Sequence, residues 1–137
     1  MSFELYSRSS GLENDDAIGF SRKAILYNDS DLNRLVIAGV EKLNHFITKA
    51  IMFYILRELK HDVVTESEIV GIGRIDLYDI STRTVYEFET HVSPKYRKQA
   101  NEKYIQAGIE VIVININNLP DDFRKRYKML KEFVIPD

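Results

Sequence analysis

Residues 109–116, IEVIVINI, are apolar at all but two positions. A half-wet strand alternates polar and apolar side chains, and this stretch does not. It reads as a strand covered on both faces, which requires helices above and below a sheet. The preceding stretch, SPKYRKQANEKYIQAG, reads as a helix with Ser93 as N-cap, Pro94 at its first position and Gly108 just past its end. VYEFET before that alternates as a strand. A strand–helix–strand crossover favours parallel pairing of the two strands.

The rest of the chain fills in an α/β fold with a mixed central sheet flanked by helices. Leu32, Leu35, Val36, Val40, Leu43, Phe46, Ile47, Ala50, Ile51 and Tyr54 recur at helical spacing after the capping residues Ser30 and Asp31. A continuous helix to Lys60 would be about 45 Å long, too long for this domain, so a bend or break is expected near Gly39. HDVVTE is a short β-branched strand. RIDLYDI and VYEFET form a hairpin around STRT, with Ile80 set opposite Val85. Strict alternation then puts Arg74, Asp76, Tyr78 and Ile80 on one face, with Ile75, Leu77 and Asp79 on the other. In that register Asp76 lies across from Glu89 and diagonal to Glu87, and all three carboxylates share a face. LPDDFRKRYKMLKEF reads as a last helix. The expected order is helix, three strands, helix, strand, helix, in one domain over residues 1–137. Residues 1–30 carry little pattern, 31–117 form the core, and 118–137 hold the C-terminal helix.

Composition excludes several chemistries. The 137 residues include no Cys, so disulfides, Cys-ligated zinc and Cys nucleophiles are ruled out. A net charge of −2 gives no global basic signature, so contact with nucleic acid must come from a local patch. No apolar run reaches the ~18 residues of a membrane span, and the polar, acidic N-terminus is not a secretory signal. An intracellular, cytoplasmic setting is expected. Neither G-x-x-x-x-G-K-[ST] nor G-x-G-x-x-G occurs, and three scattered His make no zinc pattern.

The carboxylate face carries the sharpest question. The bland reading is a hairpin with one solvated face. Against it stand the mutual repulsion of Asp76, Glu87 and Glu89 and the apolar neighbours Tyr78, Ile80 and Val85 on the same face. The functional reading is a hard divalent cation, Mg²⁺ or Mn²⁺, which takes oxygen ligands and binds phosphate as well. Glu89 is then placed to orient or deprotonate a water. His45, alone in an apolar helix, is usually a satisfied boundary residue in such a setting. Its other reading is a ligand or proton shuttle beside the carboxylates. The basic stretch after VYEFET is either a solvated helix face or, through Lys95 or Lys98 and the helix N-terminus, a phosphate site. Arg74, on the Asp76 face, is a further phosphate contact. FRKRYKMLK is a second basic cluster that reads as a solvated surface or as a track for a nucleic-acid backbone.

Gly73-Arg74-Ile75-Asp76, followed eleven residues after the Asp by Glu87-Phe88-Glu89, resembles the PD-(D/E)XK nuclease superfamily with its restriction endonuclease-like fold. The resemblance covers roughly residues 31–117. It implies Asp76 and Glu87 as metal ligands, with the Phe88 backbone carbonyl assisting. Glu89 stands where the family usually carries Lys, a substitution that some restriction enzymes of this fold share. Lys95 or Lys98 on the next helix could take the missing cation's role, as in other branches. The acid that resolvase-like members place on the first helix has no obvious counterpart, because that zone holds His45 and Lys49. The resemblance implies a metal-dependent DNA nuclease, acting as a homodimer or on DNA structure. The alternative is a noncatalytic nucleic-acid- or protein-binding module that keeps the nuclease fold.

Overall fold

The computed structural model describes residues 6–9, 25–26, 29–69, 73–106 and 108–134. Its strands are β1 (Tyr6–Ser9), β2 (Ile25–Leu26), β3 (Val63–Ile69), β4 (Gly73–Asp79), β5 (Thr84–Glu89) and β6 (Glu110–Asn115). The helices are α1 (Leu43–Glu58), α2 (Pro94–Gln106) and α3 (Phe123–Val134). The six strands lie in the order β1-β6-β5-β4-β3-β2. β5 and β6 are parallel, and the other neighbours are antiparallel. The sheet is therefore mixed, with the crossover through α2 that the sequence predicts. Most of the expectations for residues 1–28 lie outside the described residues.

β6 is covered on both faces. Ile112 and Ile114 join Met52, Ile55 and Leu56 of α1 and Leu130 and Phe133 of α3 in one core. Val111 and Val113 join Ala100 and Tyr104 of α2 in the other. α2 is bounded as its sequence suggests. The Ser93 hydroxyl accepts the Tyr96 N–H at 3.0 Å. Gly108 takes φ +72°, and the N–H groups of Gly108 and Ile109 return to the carbonyls of Ile105 and Tyr104. This pair of bonds closes the helix in a left-handed turn that suits glycine. Asp122 opens α3 by accepting the Lys125 N–H at 3.0 Å.

Two expectations are corrected. The first helix does not begin at residue 31 but at Leu43. Asn33, at φ +57°, turns the chain along β3. Its N–H bonds to the Val63 carbonyl, and its side-chain oxygen accepts the Val63 N–H. The Thr65 hydroxyl then donates to Arg34 O and accepts from Val36 N. These bonds take backbone groups that a helix would need. The buried stripe of α1 is consequently Thr48, Lys49, Met52, Ile55 and Leu56, while Leu43 and Tyr54 are 72% and 59% exposed.

The second correction concerns the hairpin. Tyr78, not Ile80, pairs with Val85, and Asp79 pairs with Thr84. Asp79 is buried and accepts from the Ser81 N–H at 3.0 Å and the Thr82 hydroxyl at 2.8 Å. The His61 ring lies 2.7 Å from the same carboxylate. This capture fixes the turn at residues 80–83 and moves the register by two. A two-residue shift preserves the faces, so Glu87 and Glu89 still share one. Alternation itself fails at Asp76, because Ile75 packs with the α2 core while Leu77 packs with the α1–α3 core.

Candidate metal centre

The failure of alternation at Asp76 coincides with a gap in the sheet. β3 and β4 pair at Thr65↔Leu77 and at Ser67↔Ile75, but the rung between, Glu66 and Asp76, is missing. Glu66 sits at φ +53°, a left-handed conformation that disfavours side-chain-bearing residues. On the other side, β4 and β5 stay paired only as far as Leu77↔Tyr86. Beyond that point the strands part, and the Phe88 N–H donates to the Asp76 carboxylate at 2.9 Å. Strand geometry thus releases Asp76 from either face and sets its side chain in the opening.

Asp76, Glu87 and Glu89 each offer an oxygen there, and the three atoms lie within 4.8 Å of one another. Glu87 is buried, and the other two are half-buried. Each carboxylate has a different set of partners. His45, on α1, brings Nε2 to 3.2 Å from Asp76 Oδ2 and Nδ1 to 2.5 Å from Glu41 Oε1. Its ring stands edge-on to Phe88. Glu87 accepts a hydrogen bond from the Tyr104 hydroxyl. Glu89 accepts one from the Tyr96 hydroxyl at 3.0 Å.

These partners set the protonation. The hydrogen bond to Asp76, against the cost of burial, raises the His45 pKa to about 9, so the ring is an imidazolium at neutral pH. Burial pushes the Asp76 carboxyl up. Hydrogen bonds with His45, with Glu87 and from the Phe88 N–H outweigh that and hold it below its usual value. Glu87 goes the other way: burial, then the Asp76 charge, push its carboxyl well above the ordinary range. Burial also raises Glu89. The phenols of Tyr96 and Tyr104 are pushed up by burial and by the neighbouring carboxylates, so they act as fixed donors.

A second group of acids borders the first. Glu41, just before α1, bonds to His45 and to Lys49, and Lys49 is wholly buried. Burial pushes the Glu41 carboxyl up, but Lys49, the Ala38 N–H and His45 together hold it down. Burial raises Glu66. Arg126 of α3 packs against the neighbouring positions of α1 and is 2% exposed. It donates to Asn44 Oδ1 at 2.5 Å, to the Thr48 hydroxyl at 3.0 Å and to the Pro120 carbonyl at 2.9 Å. Arg126 therefore belongs to the helix packing and not to the basic surface that FRKRYKMLK suggests.

Of the residues singled out in the sequence, Asp76, Glu87, Glu89 and His45 come together. The Phe88 backbone joins them through its N–H, and its side chain is core. Lys95 and Lys98 do not join. Both are exposed, and the cavity on the α2 side of the cluster is lined instead by Arg74, Gln99 and Lys103, with Tyr96, Tyr104, Glu87 and Glu89. Helical spacing explains this, since residues 96, 99, 100, 103 and 104 share a stripe that 95 and 98 miss. Sequence reasoning missed Glu41, Glu66, Tyr96 and Tyr104 as polar partners. The i, i+4, i+8 spacing of Glu41, His45 and Lys49 was the available signal for the first. Glu66 carried none, because its strained backbone is invisible in sequence.

No protein-family model, curated protein or solved structure matches this chain. The reading of the site therefore rests on its chemistry. Its donors are all oxygen, two carboxylates are shifted up by burial and mutual repulsion, and none of the three has a lysine or arginine among its described hydrogen-bond and ion-pair partners. A hard divalent cation fits such a donor set.

Proposed function

We propose that the protein is a divalent-cation-dependent nuclease that hydrolyses phosphodiester bonds in DNA. The observation that carries this reading is the convergence of the Asp76, Glu87 and Glu89 oxygens within 4.8 Å where β4 and β5 part. Asp76 and Glu87 hold Mg²⁺ or Mn²⁺, with the Phe88 carbonyl as a further oxygen donor. The bound ion supplies Lewis-acid polarisation of a phosphoryl oxygen and lowers the pKa of a water. Glu89, whose carboxylate burial makes more basic than an ordinary one, would accept the proton from the attacking water. The Tyr96 and Tyr104 hydroxyls keep Glu89 and Glu87 in place while charge moves. Arg74 and Lys103, which line the α2-side cavity with Glu87 and Glu89, receive the phosphate backbone. The resemblance to the PD-(D/E)XK superfamily supports the same assignment of Asp76 and Glu87.

A second reading is a binding module that keeps this architecture without turnover. It is favoured by one observation, that Lys95 and Lys98 stand away from the cluster while Glu89 occupies the customary lysine position. A cleavage assay on plasmid, junction and single-stranded DNA, with and without Mn²⁺, separates the two. The nuclease nicks DNA only with Mn²⁺, and Glu87→Ala ends nicking. DNA binding that is indifferent to Mn²⁺, with no cleavage of any substrate, supports the module instead.

A further inference from the structure

The cavity between α1 and the sheet is lined by four carboxylates, Glu41, Glu66, Asp76 and Glu89. Phosphodiester-cleaving sites this rich in acid commonly hold two cations about 3.5–4 Å apart. Here a cation is already built in. Lys49 Nζ lies 2.8 Å from Glu41 Oε1, 2.9 Å from Glu41 Oε2, 2.7 Å from the Val36 carbonyl and 3.5 Å from Glu66 Oε2. These oxygens, from two carboxylates and a backbone carbonyl, surround the ammonium as they surround a hard metal ion.

We propose that the Lys49 ammonium occupies the place of a second divalent cation, so that the acidic centre accepts one metal ion, at Asp76, Glu87 and Glu89, and no other. The inference rests on the metal reading proposed above. Three features support it. The side chain of Lys49 is 0% exposed, so protein oxygens surround the ammonium in place of water. Val36 O and Glu41 accept hydrogen bonds from the ammonium, and Glu66 Oε2, which has no hydrogen-bond partner of its own, lies within ion-pair distance of it at 3.5 Å. The left-handed backbone of Glu66 and the missing rung with Asp76 mark a local departure from strand geometry at the residue whose carboxylate faces Lys49. His45 stands between the two halves, bonded to Glu41 on one side and Asp76 on the other. The acids of this cavity thus divide into a pair held by Lys49 and a group left for a metal.

The test is a Mn²⁺ titration of the full chain, read by equilibrium dialysis and electron paramagnetic resonance. Wild type is expected to bind one Mn²⁺ with the spectrum of an isolated ion. Two bound, spin-coupled Mn²⁺ overturn the inference and leave the metal reading standing. No bound Mn²⁺ overturns the metal reading and the inference with it. Lys49→Met is expected to gain a second, coupled Mn²⁺; a folded Lys49→Met that still binds one ion overturns the inference. Glu66→Gln keeps the proposal testable if the lysine variant does not fold. Its Mn²⁺ count should stay at one with little change in affinity, whereas a loss of about 10-fold or more, the scale of disturbing a metal's supporting shell, overturns it.

Discussion

The two faces of the sheet treat buried acid in opposite ways. On the α1 face Glu41, Glu66 and Asp76 meet cations, Lys49 and the imidazolium of His45. From the α2 side, Glu87 and Glu89 receive the neutral hydroxyls of Tyr104 and Tyr96 and no cation of their own by hydrogen bond or ion pair among the described contacts. Asp76 is accordingly shifted down and Glu87 up, although their oxygens lie within one cluster. An ion pair removes the cost of a buried charge, while a phenol only reduces it. The cluster is therefore divided into a part that stays ionised and a part that favours its proton. A cation that binds there must displace that proton, so affinity for the ion should weaken as pH falls.

Experiments can break this contrast at successively smaller scales. The largest effect is expected from Asp76→Asn, which removes the ionised half. Mn²⁺-dependent cleavage should fall by about 10²–10³-fold or more, the scale of losing a group that organises transition-state charge. Circular dichroism should show the variant folded. Next is Arg126→Leu. Loss of the hydrogen bonds to Asn44, Thr48 and Pro120 should destabilise the chain by about 2–4 kcal/mol in urea unfolding. Unchanged stability would mean that α1 is held by apolar packing alone.

Glu87→Gln tests the proton-holding half. An amide there lifts the burial penalty, so the metal-free chain should gain about 1–3 kcal/mol. The same variant should show no rise in Tm on adding Mn²⁺. The smallest effect is the pH slope. His45 binds its proton more tightly in the fold than in the unfolded chain, so its contribution is full below pH 6.5 and is lost as pH rises to about 9. Glu87 has the same sign, with stability falling as pH climbs above the ordinary carboxylate range. Metal-free protein should therefore unfold more readily at pH 9 than at pH 6.5, and His45→Gln should flatten that interval.

Much of the architecture could be read from local pattern. The covered strand at residues 109–116, the capped helix after it and the alternating β4–β5 arms require only spacing and end signals, and all are present. The first helix is shorter than its spacing predicts because Asn33 bonds to the β3 backbone at Val63, and Thr65 of β3 bonds to the backbone of Arg34 and Val36. That tertiary competition leaves no periodic trace. The hairpin register failed for a similar reason, since it depends on one buried Asp79 gathering the turn. At the site, Glu87 and Glu89 are legible because a two-residue shift preserves faces, while Asp76 joins them through the opening in the sheet where alternation fails. The partners that set their protonation are not legible. Tyr96 and Tyr104 looked like an apolar stripe, and their hydroxyls matter only once β5 lies beneath them.

Arg126 joins a late part of the chain to an early one, with acceptors at Asn44 and Thr48 that lie 82 and 78 residues upstream. Ribosomal synthesis delivers the acceptors first. The segment bearing His45 emerges well before the guanidinium that fastens it, so its final seat must wait for α3. Assembly of the acidic centre is thereby tied to the emergence of α3.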